Sequence, residues 1–160
     1  MFIGRHTNKI DKKGRVSVPK PFRDALGASV SAGVFVFPSF KFPALEAAGQ
    51  DFIQRFVDSL DDLDLFSDAQ DDLAATVLAN TNALVFDPEG RITLPKALID
   101  HAGFKDEAVF VGRGSRFQIW SPATFESHNA QAFERARARG ATLALRRPGN
   151  KEGADTPGHE

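Results

Sequence analysis

Residues 11–27 read DKKGRVSVPKPFRDALG, and residues 87–103 read DPEGRITLPKALIDHAG. The two stretches align without a gap at an offset of 76, with seven of seventeen positions identical. Four further positions exchange residues within an apolar or hydroxyl class. Unrelated stretches of ordinary composition share roughly one identity over this length. Internal repetition is sought before any local signal, and here it reads as two copies of one unit, each followed by its own extension.

Each copy has a local logic. Asp87-Pro88-Glu89-Gly90 has the Asp, Pro and Gly positions of a type I turn. Gly90 supplies the left-handed backbone that lets the next strand leave as a hairpin. Asp11-Lys12-Lys13-Gly14 repeats the frame without the proline. Arg15-Val16-Ser17-Val18 and Arg91-Ile92-Thr93-Leu94 then alternate polar and apolar, the period of a half-buried strand. Val16, Val18, Ile92 and Leu94 are expected to face inward, with Arg15, Ser17, Arg91 and Thr93 facing the other way. Pro19 and Pro95 end these strands. Short helices are predicted over residues 20–26 and 96–102, stopped by Gly27 and Gly103. Flanking strands are expected at 7–10 and 83–86, at 33–37 and 108–111, and at 40–42 and 116–120.

A unit of about 45 residues is too small to bury a good core alone. The two units are therefore expected to pack as a pseudo-symmetric pair with interleaved strands. The domain reading is a first repeat over 5–50, a helical connector over 51–80 and a second repeat over 81–124. A C-terminal helical segment over 125–145 and a disordered tail over 146–160 follow. Phe52, Ile53, Phe56 and Leu60 lie at helical spacing in the connector, and residues 69–79 read as a second helix there. The last helix is expected over 122–139, with Ser121 as its cap and Pro122 at its first position. The tail is rich in Pro, Gly and charge, without apolar periodicity.

Composition narrows the function. The chain has 160 residues, no Cys, no Tyr, 15 Phe and one Trp. Disulfides, zinc fingers and thiol catalysis are excluded. No apolar run approaches the roughly 18 residues that span a bilayer, and no apolar region of a signal peptide follows Met-Phe-Ile-Gly-Arg-His. A cytoplasmic address is expected. Net charge is only −1, but it is unevenly spread. Residues 1–23 hold seven Lys or Arg against Asp11, a net +6. Residues 46–72 hold nine acids against Arg55, a net −8, and residues 134–147 hold five Arg against Glu134, a net +4. A near-neutral chain with such a basic end can present a basic face.

The paired Asp-x-x-x-Arg turns, Asp11 to Arg15 and Asp87 to Arg91, are each followed by an apolar-polar-apolar-Pro strand. With the opening Met-Phe-x-Gly, the mid-chain helices and Phe117-Gln118-Ile119-Trp120, they resemble the MraZ family, whose repeats belong to the AbrB/MazE-type swapped-hairpin superfamily. The resemblance covers roughly residues 1–145. It departs from the family pattern mainly at the Phe- and Pro-rich residues 38–46 and the Asp-heavy residues 58–72. It implies an α+β fold of two tandem AbrB-like swapped-hairpin repeats, a double-split β-barrel with helical extensions. It also implies a bacterial regulator that binds double-stranded DNA at the promoter of the division and cell-wall gene cluster in which its own gene stands first. Such proteins recognise short tandem repeats as ring-like homo-oligomers, in the cytoplasm on the nucleoid.

The residues fit that chemistry. A two-stranded ribbon enters the major groove, and Arg15 at its tip is expected on a base edge, worth roughly 1–3 kcal/mol of discrimination. Lys13 is placed on base or phosphate, and Arg5, Lys9 and Lys12 on phosphates, with His6 extending the same surface. Asp11, Gly14, Asp87, Gly90 and Arg91 are read as turn residues. In the second turn Glu89 repels phosphate and Asp87 lies within reach of Arg91, so the first unit is expected to do most of the binding. A bracing role, each arginine paired with its own Asp, is the competing reading for both.

Other signals are weaker. The four histidines show no metal-ligand spacing. The acidic run from Asp61 fails as an EF-hand, since the sixth position from Asp62 is Ser67 and the twelfth is Leu73; it reads as a solvated connector. Gly112-Arg113-Gly114-Ser115 reads as a hairpin turn rather than a phosphate loop. No catalytic constellation is evident, and no enzyme, cofactor, metal or membrane is expected. The alternative function is an antitoxin-like or scaffold module whose main role is to bind a partner protein.

Overall fold

The computed structural model describes residues 1–27, 31 and 33–149. The chain divides into two compact units, Met1–Ser127 and His128–Glu160. The first repeat supplies β1 (Arg5–Lys9), β2 (Arg15–Ser17), α1 (Lys20–Leu26), β3 (Val34–Pro38) and β4 (Leu45–Ala48). The connector supplies α2 (Gln50–Asp61), α3 (Asp68–Thr76) and a 3-10 turn at Leu78–Asn80. The second repeat supplies β5 (Asn82–Leu84), β6 (Arg91–Thr93), α4 (Lys96–Ala102), β7 (Glu107–Gly112) and β8 (Phe117–Trp120), and α5 (Pro122–Arg139) follows.

The repeats do not fold side by side. In the six-stranded sheet the order is β1-β7-β8-β4-β3-β5, and β2 pairs with β6 in a separate ribbon. Thus β1 pairs with β7, β3 with β5, β4 with β8 and β2 with β6, each pairing joining one repeat to the other. Only the β3–β4 and β7–β8 hairpins stay within a repeat. Exchanging the repeats leaves the strand order unchanged. The apolar faces named from the alternation meet in one core: Val16, Val18, Ile92 and Leu94 are all buried there. Phe2, Phe22 and Phe117 meet edge-on or tilted in the same core, with ring centroids 5.0–5.5 Å apart. Each such buried side chain contributes roughly 1.5–3 kcal/mol.

The central strands β4 and β8 are buried on both faces. On the face away from the main core they carry a polar chain. Gln118 Nε2 donates to Glu46 Oε2 at 2.9 Å, and Arg116 Nε donates to Glu46 Oε1 at 2.9 Å. Trp120 Nε1 and Arg113 Nε both donate to Gln118 Oε1, at 2.9 and 3.0 Å. The buried amide and carboxylate are thereby satisfied, as burial of polar groups requires.

Helices α1, α4 and α5 span the residues their boundary signals indicate. Pro lies in the first turn of α1, and Gly27 and Gly103 close α1 and α4 at positive φ. Three expectations differ from what is observed. Residues 40–42 form bends rather than a strand. Ser39 Oγ accepts from the Lys41 and Phe42 amides, both at 3.1 Å, and Pro43 offers no donor, so the strand starts at Leu45. The second connector helix ends at Thr76, and its last turn is the separate 3-10 piece. Helix α5 ends at Arg139, short of residue 145, where Gly140 turns the chain at φ 59°. Of the expected tail, residues 146–149 are exposed and 150–160 lie outside the described residues.

Candidate nucleic-acid interface

Each repeat builds its turn from one aspartate. Asp11 Oδ1 accepts the backbone N–H groups of Lys13 and Arg15, both at 2.9 Å, and Oδ2 accepts from Arg15 Nε at 2.6 Å. Asp87 does the same for Glu89 and Arg91, at 2.9, 2.9 and 2.7 Å. The Gly14 amide donates to the Asp11 carbonyl, and the Gly90 amide to the Asp87 carbonyl, both at 3.0 Å. Both glycines sit at positive φ, 82° and 79°. A Cβ on Gly14 would lie 2.9 Å from the Leu94 carbonyl oxygen. Glycine is therefore required by backbone sign and by space.

These bonds set the charge states. The Arg15 backbone N–H, bonded to its carboxylate, holds Asp11 below the usual aspartate range against the partial burial that raises it. The Arg15 guanidinium and the Lys13 amide reinforce the lowering. Asp87 is lowered in the same way, the Arg91 backbone N–H again contributing most. Arg91 is raised, chiefly by its hydrogen bond to Asp87, with the charges of Asp87, Glu89 and Asp11 adding to it.

The two turns sit at opposite ends of the β2–β6 ribbon. In its register Arg15 faces Thr93 and Ser17 faces Arg91. Alternation puts Arg15, Ser17, Arg91 and Thr93 on one face, with Val16 and Ile92 buried on the other. Arg15 and Arg91 are diagonal neighbours, a relation that spans about 7–8 Å. Both arginines brace their own turns, but unequally. Arg91 is also held by Glu89 through Nη2 at 3.0 Å. The terminal nitrogens of Arg15 have no hydrogen-bond or ion-pair partner among the described residues. Lys12 and Lys13 are exposed beside it.

Not every named residue joins this face. Lys9 is exposed on β1, leading into the first turn. Arg5 is engaged elsewhere: Nη1 binds Glu126 at 2.8 Å, and the guanidinium lies over the Phe125 ring at 5.3 Å. His6 is half-buried, its ring edge-on to Phe22 at 5.4 Å. The structure thus gathers Lys12, Lys13, Arg15 and Arg91, and gives Arg5 and His6 other partners. Reading each repeat separately missed the convergence of Arg91 on Arg15; the 76-residue offset combined with interleaved pairing was the signal for it. Among the described residues no group of acidic or histidine side chains could hold a metal, and no helix is long and apolar enough to cross a membrane.

A duplicated turn-and-ribbon unit, with its two half-buried arginines on one face, defines a class of small α+β proteins in which a surface rather than a cleft carries the conspicuous chemistry. The comparisons agree on the family. Residues 77–147 match the family described as "MraZ protein, putative antitoxin-like". The chain is 43% identical over 143 residues to the transcriptional regulator MraZ of Pelagibacter ubique, covering 89% of this chain and 92% of that one. It is 42% identical over 156 residues to the protein of the same name from Gluconacetobacter diazotrophicus, covering 96% of both. The namesake from Parvibaculum lavamentivorans is 44% identical over 137 residues, covering 84% of both. The chain belongs to the MraZ family, and these three relatives are named as transcriptional regulators.

Proposed function

We propose that this protein is a transcriptional regulator that binds double-stranded DNA through the β2–β6 ribbon. The observation that carries the reading is the placement of Arg15 and Arg91 on one face, with the exposed Lys12 and Lys13 at one end. Arg15, its Nε anchored to Asp11 and its terminal nitrogens without a partner among the described residues, presents two donors in fixed geometry to a guanine edge. Lys12, Lys13 and Lys9 take phosphates, which position the ribbon without specifying sequence. Arg91, neutralised by Asp87 and Glu89, orients the second turn and contributes less.

The finer reading follows the resemblance. The repeats form swapped-hairpin, AbrB-like halves of a double-split barrel, as the pairing between repeats supports. The target is a set of short tandem repeats in the promoter of the division and cell-wall cluster, read by a ring-like homo-oligomer on the nucleoid. A few basic side chains per copy bind weakly and with steep salt dependence; several copies at fixed spacing raise the effective concentration on tandem sites. Fluorescence anisotropy tests this with the duplex upstream of the protein's own gene, a scrambled duplex and Arg15→Ala, across a salt series. Tight binding to the first duplex alone, lost in Arg15→Ala, is expected. Equal, salt-sensitive binding to both duplexes would overturn sequence-specific regulation and leave partner-protein binding as the function.

A further inference from the structure

The first unit carries an open cavity of about 380 Å³ where the chain after β3 meets α2 and α3. Phe37, Phe40, Phe42, Phe52 and Phe56 line it. Phe40 is 72% exposed, and the apolar face of α2 at Phe52 and Phe56 is only half covered. The charged lining is mainly cationic, from Lys41, Arg113 and Arg116. Glu46, also at this cavity, is already paired with Arg116 and Gln118.

The same unit bears a surface of opposite make-up. Residues 61–68, running from the end of α2 to the start of α3, read DDLDLFSD. Phe66 is 93% exposed and Leu65 69% exposed, among four aspartates. A merely solvated connector has no need of two large apolar side chains held in water, whereas a docking element does. With that exposure, Phe66 is not filling the cavity of its own chain.

We propose that residues 61–68 of one copy seat Leu65 and Phe66 in the phenylalanine-lined cavity of a second copy, with the aspartates facing Lys41, Arg113 and Arg116. The inference rests on the self-association proposed above and assigns the surfaces that make it. An aromatic anchor in an apolar pocket with a complementary charged rim is the make-up of an interface hot spot. The two patches differ, so the contact is heterologous: each copy gives a loop to one neighbour and a cavity to another.

Sedimentation velocity on the full chain tests it with Phe66→Ser and Phe40→Asp. Both replace exposed side chains, and circular dichroism checks that the fold is kept. Wild type is expected to sediment as an oligomer and each variant alone as a monomer. The expected loss is at least about thirtyfold in association, the size of a hot-spot truncation. Mixed in equal amounts, the variants are expected to form a one-to-one dimer, since one intact loop then meets one intact cavity. Variants that sediment like wild type would overturn the docking and leave self-association standing. A monomeric wild type would overturn self-association, and the docking with it. Dissociation by a Leu143→Ser/Leu145→Ser chain but not by Phe66→Ser would place the C-terminal segment at the interface and also overturn the proposal.

Discussion

The guanidinium of Arg23 lies against Gly90, the glycine of the other repeat's turn: a Cβ at Gly90 would sit 2.8 Å from Arg23 Cζ. The pseudo-equivalent contact is Ile99 Cδ1 against Gly14, 3.2 Å from a Cβ placed there. Each short helix therefore props the opposite turn, once with a cation and once with a hydrocarbon. Arg23 also donates through Nη1 to the Val18 carbonyl.

This contact separates two otherwise equal glycines. Both turns strain a side chain by roughly 1–2 kcal/mol through positive φ alone. At Gly90 the obstacle is the end of a flexible side chain, whereas at Gly14 it includes the Leu94 backbone oxygen. Gly14→Ala is expected to destabilise more than Gly90→Ala in urea titrations. Equal losses would refute the distinction.

Arg23→Ile tests whether the prop must be cationic. It makes the first repeat match the second, where Ile99 serves. The loss is the charge-assisted hydrogen bond to Val18, about 1.5–3 kcal/mol. A loss of unfolding free energy well beyond that value in a denaturant titration would show that the guanidinium does more than fill space.

On DNA the basic residues should divide by role. Arg15→Ala is expected to lose roughly 1–3 kcal/mol on the native duplex and nearly all discrimination against a scrambled one. Lys12→Ala and Lys13→Ala are expected to weaken both duplexes alike, each lowering the salt slope by about one. Arg5→Ala, whose charge is taken up by Glu126, is expected to bind almost as wild type. Anisotropy across salt separates these outcomes; a large loss in Arg5→Ala would put β1 on the DNA.

Acid should loosen the turns. Asp11 and Asp87 have folded pKa values below their ordinary range, near 3.9. The unfolded chain therefore takes up protons first as pH falls. Their contribution is whole above pH 4–5 or so and is lost as pH drops through the depressed folded values. Asp11→Asn is expected to melt below wild type at pH 7, with the gap narrowing as pH falls below the ordinary aspartate value of about 3.9. A gap that stays constant across that range would assign the turn's stability to something other than the carboxylate.

The buried chain on β4 and β8 should be intolerant of partial removal. Glu46→Ala leaves the Gln118 amide without its acceptor in a fully buried site, an expected cost of about 1–3 kcal/mol by denaturant titration. Gln118→Leu alone also removes the acceptor of Trp120 Nε1 and Arg113 Nε, so the double variant should cost less than the sum of the two single losses rather than less than either. Purely additive losses would count against the coupling.

Much of this was legible in the sequence because it is local. Proline at a helix start, glycine at a helix end and aspartate four residues before arginine each act over a single turn, and α1, α4, α5 and both Asp–Arg turns follow them. Alternation also identified Val16, Val18, Ile92 and Leu94 as core. The same rule misled at Phe40-Lys41-Phe42, where one serine hydroxyl takes the backbone donors a strand would use. The partners of Arg5 and Glu46 lie 121 and 70 residues away in sequence, beyond any local pattern. Only the pairing of strands between repeats brings such residues together.

The unchanged strand order under exchange of repeats is the plan a symmetric dimer of single repeats would also follow. Housing both halves in one chain releases them from identity, and the turns have diverged to Lys12-Lys13 at one end and Pro88-Glu89 at the other. The ribbon consequently has a polarity: one end attracts phosphate and the other repels it. A two-fold symmetric reader is matched to palindromes. A reader with a front and a back, bound as proposed, is matched instead to sites that all point the same way along the duplex.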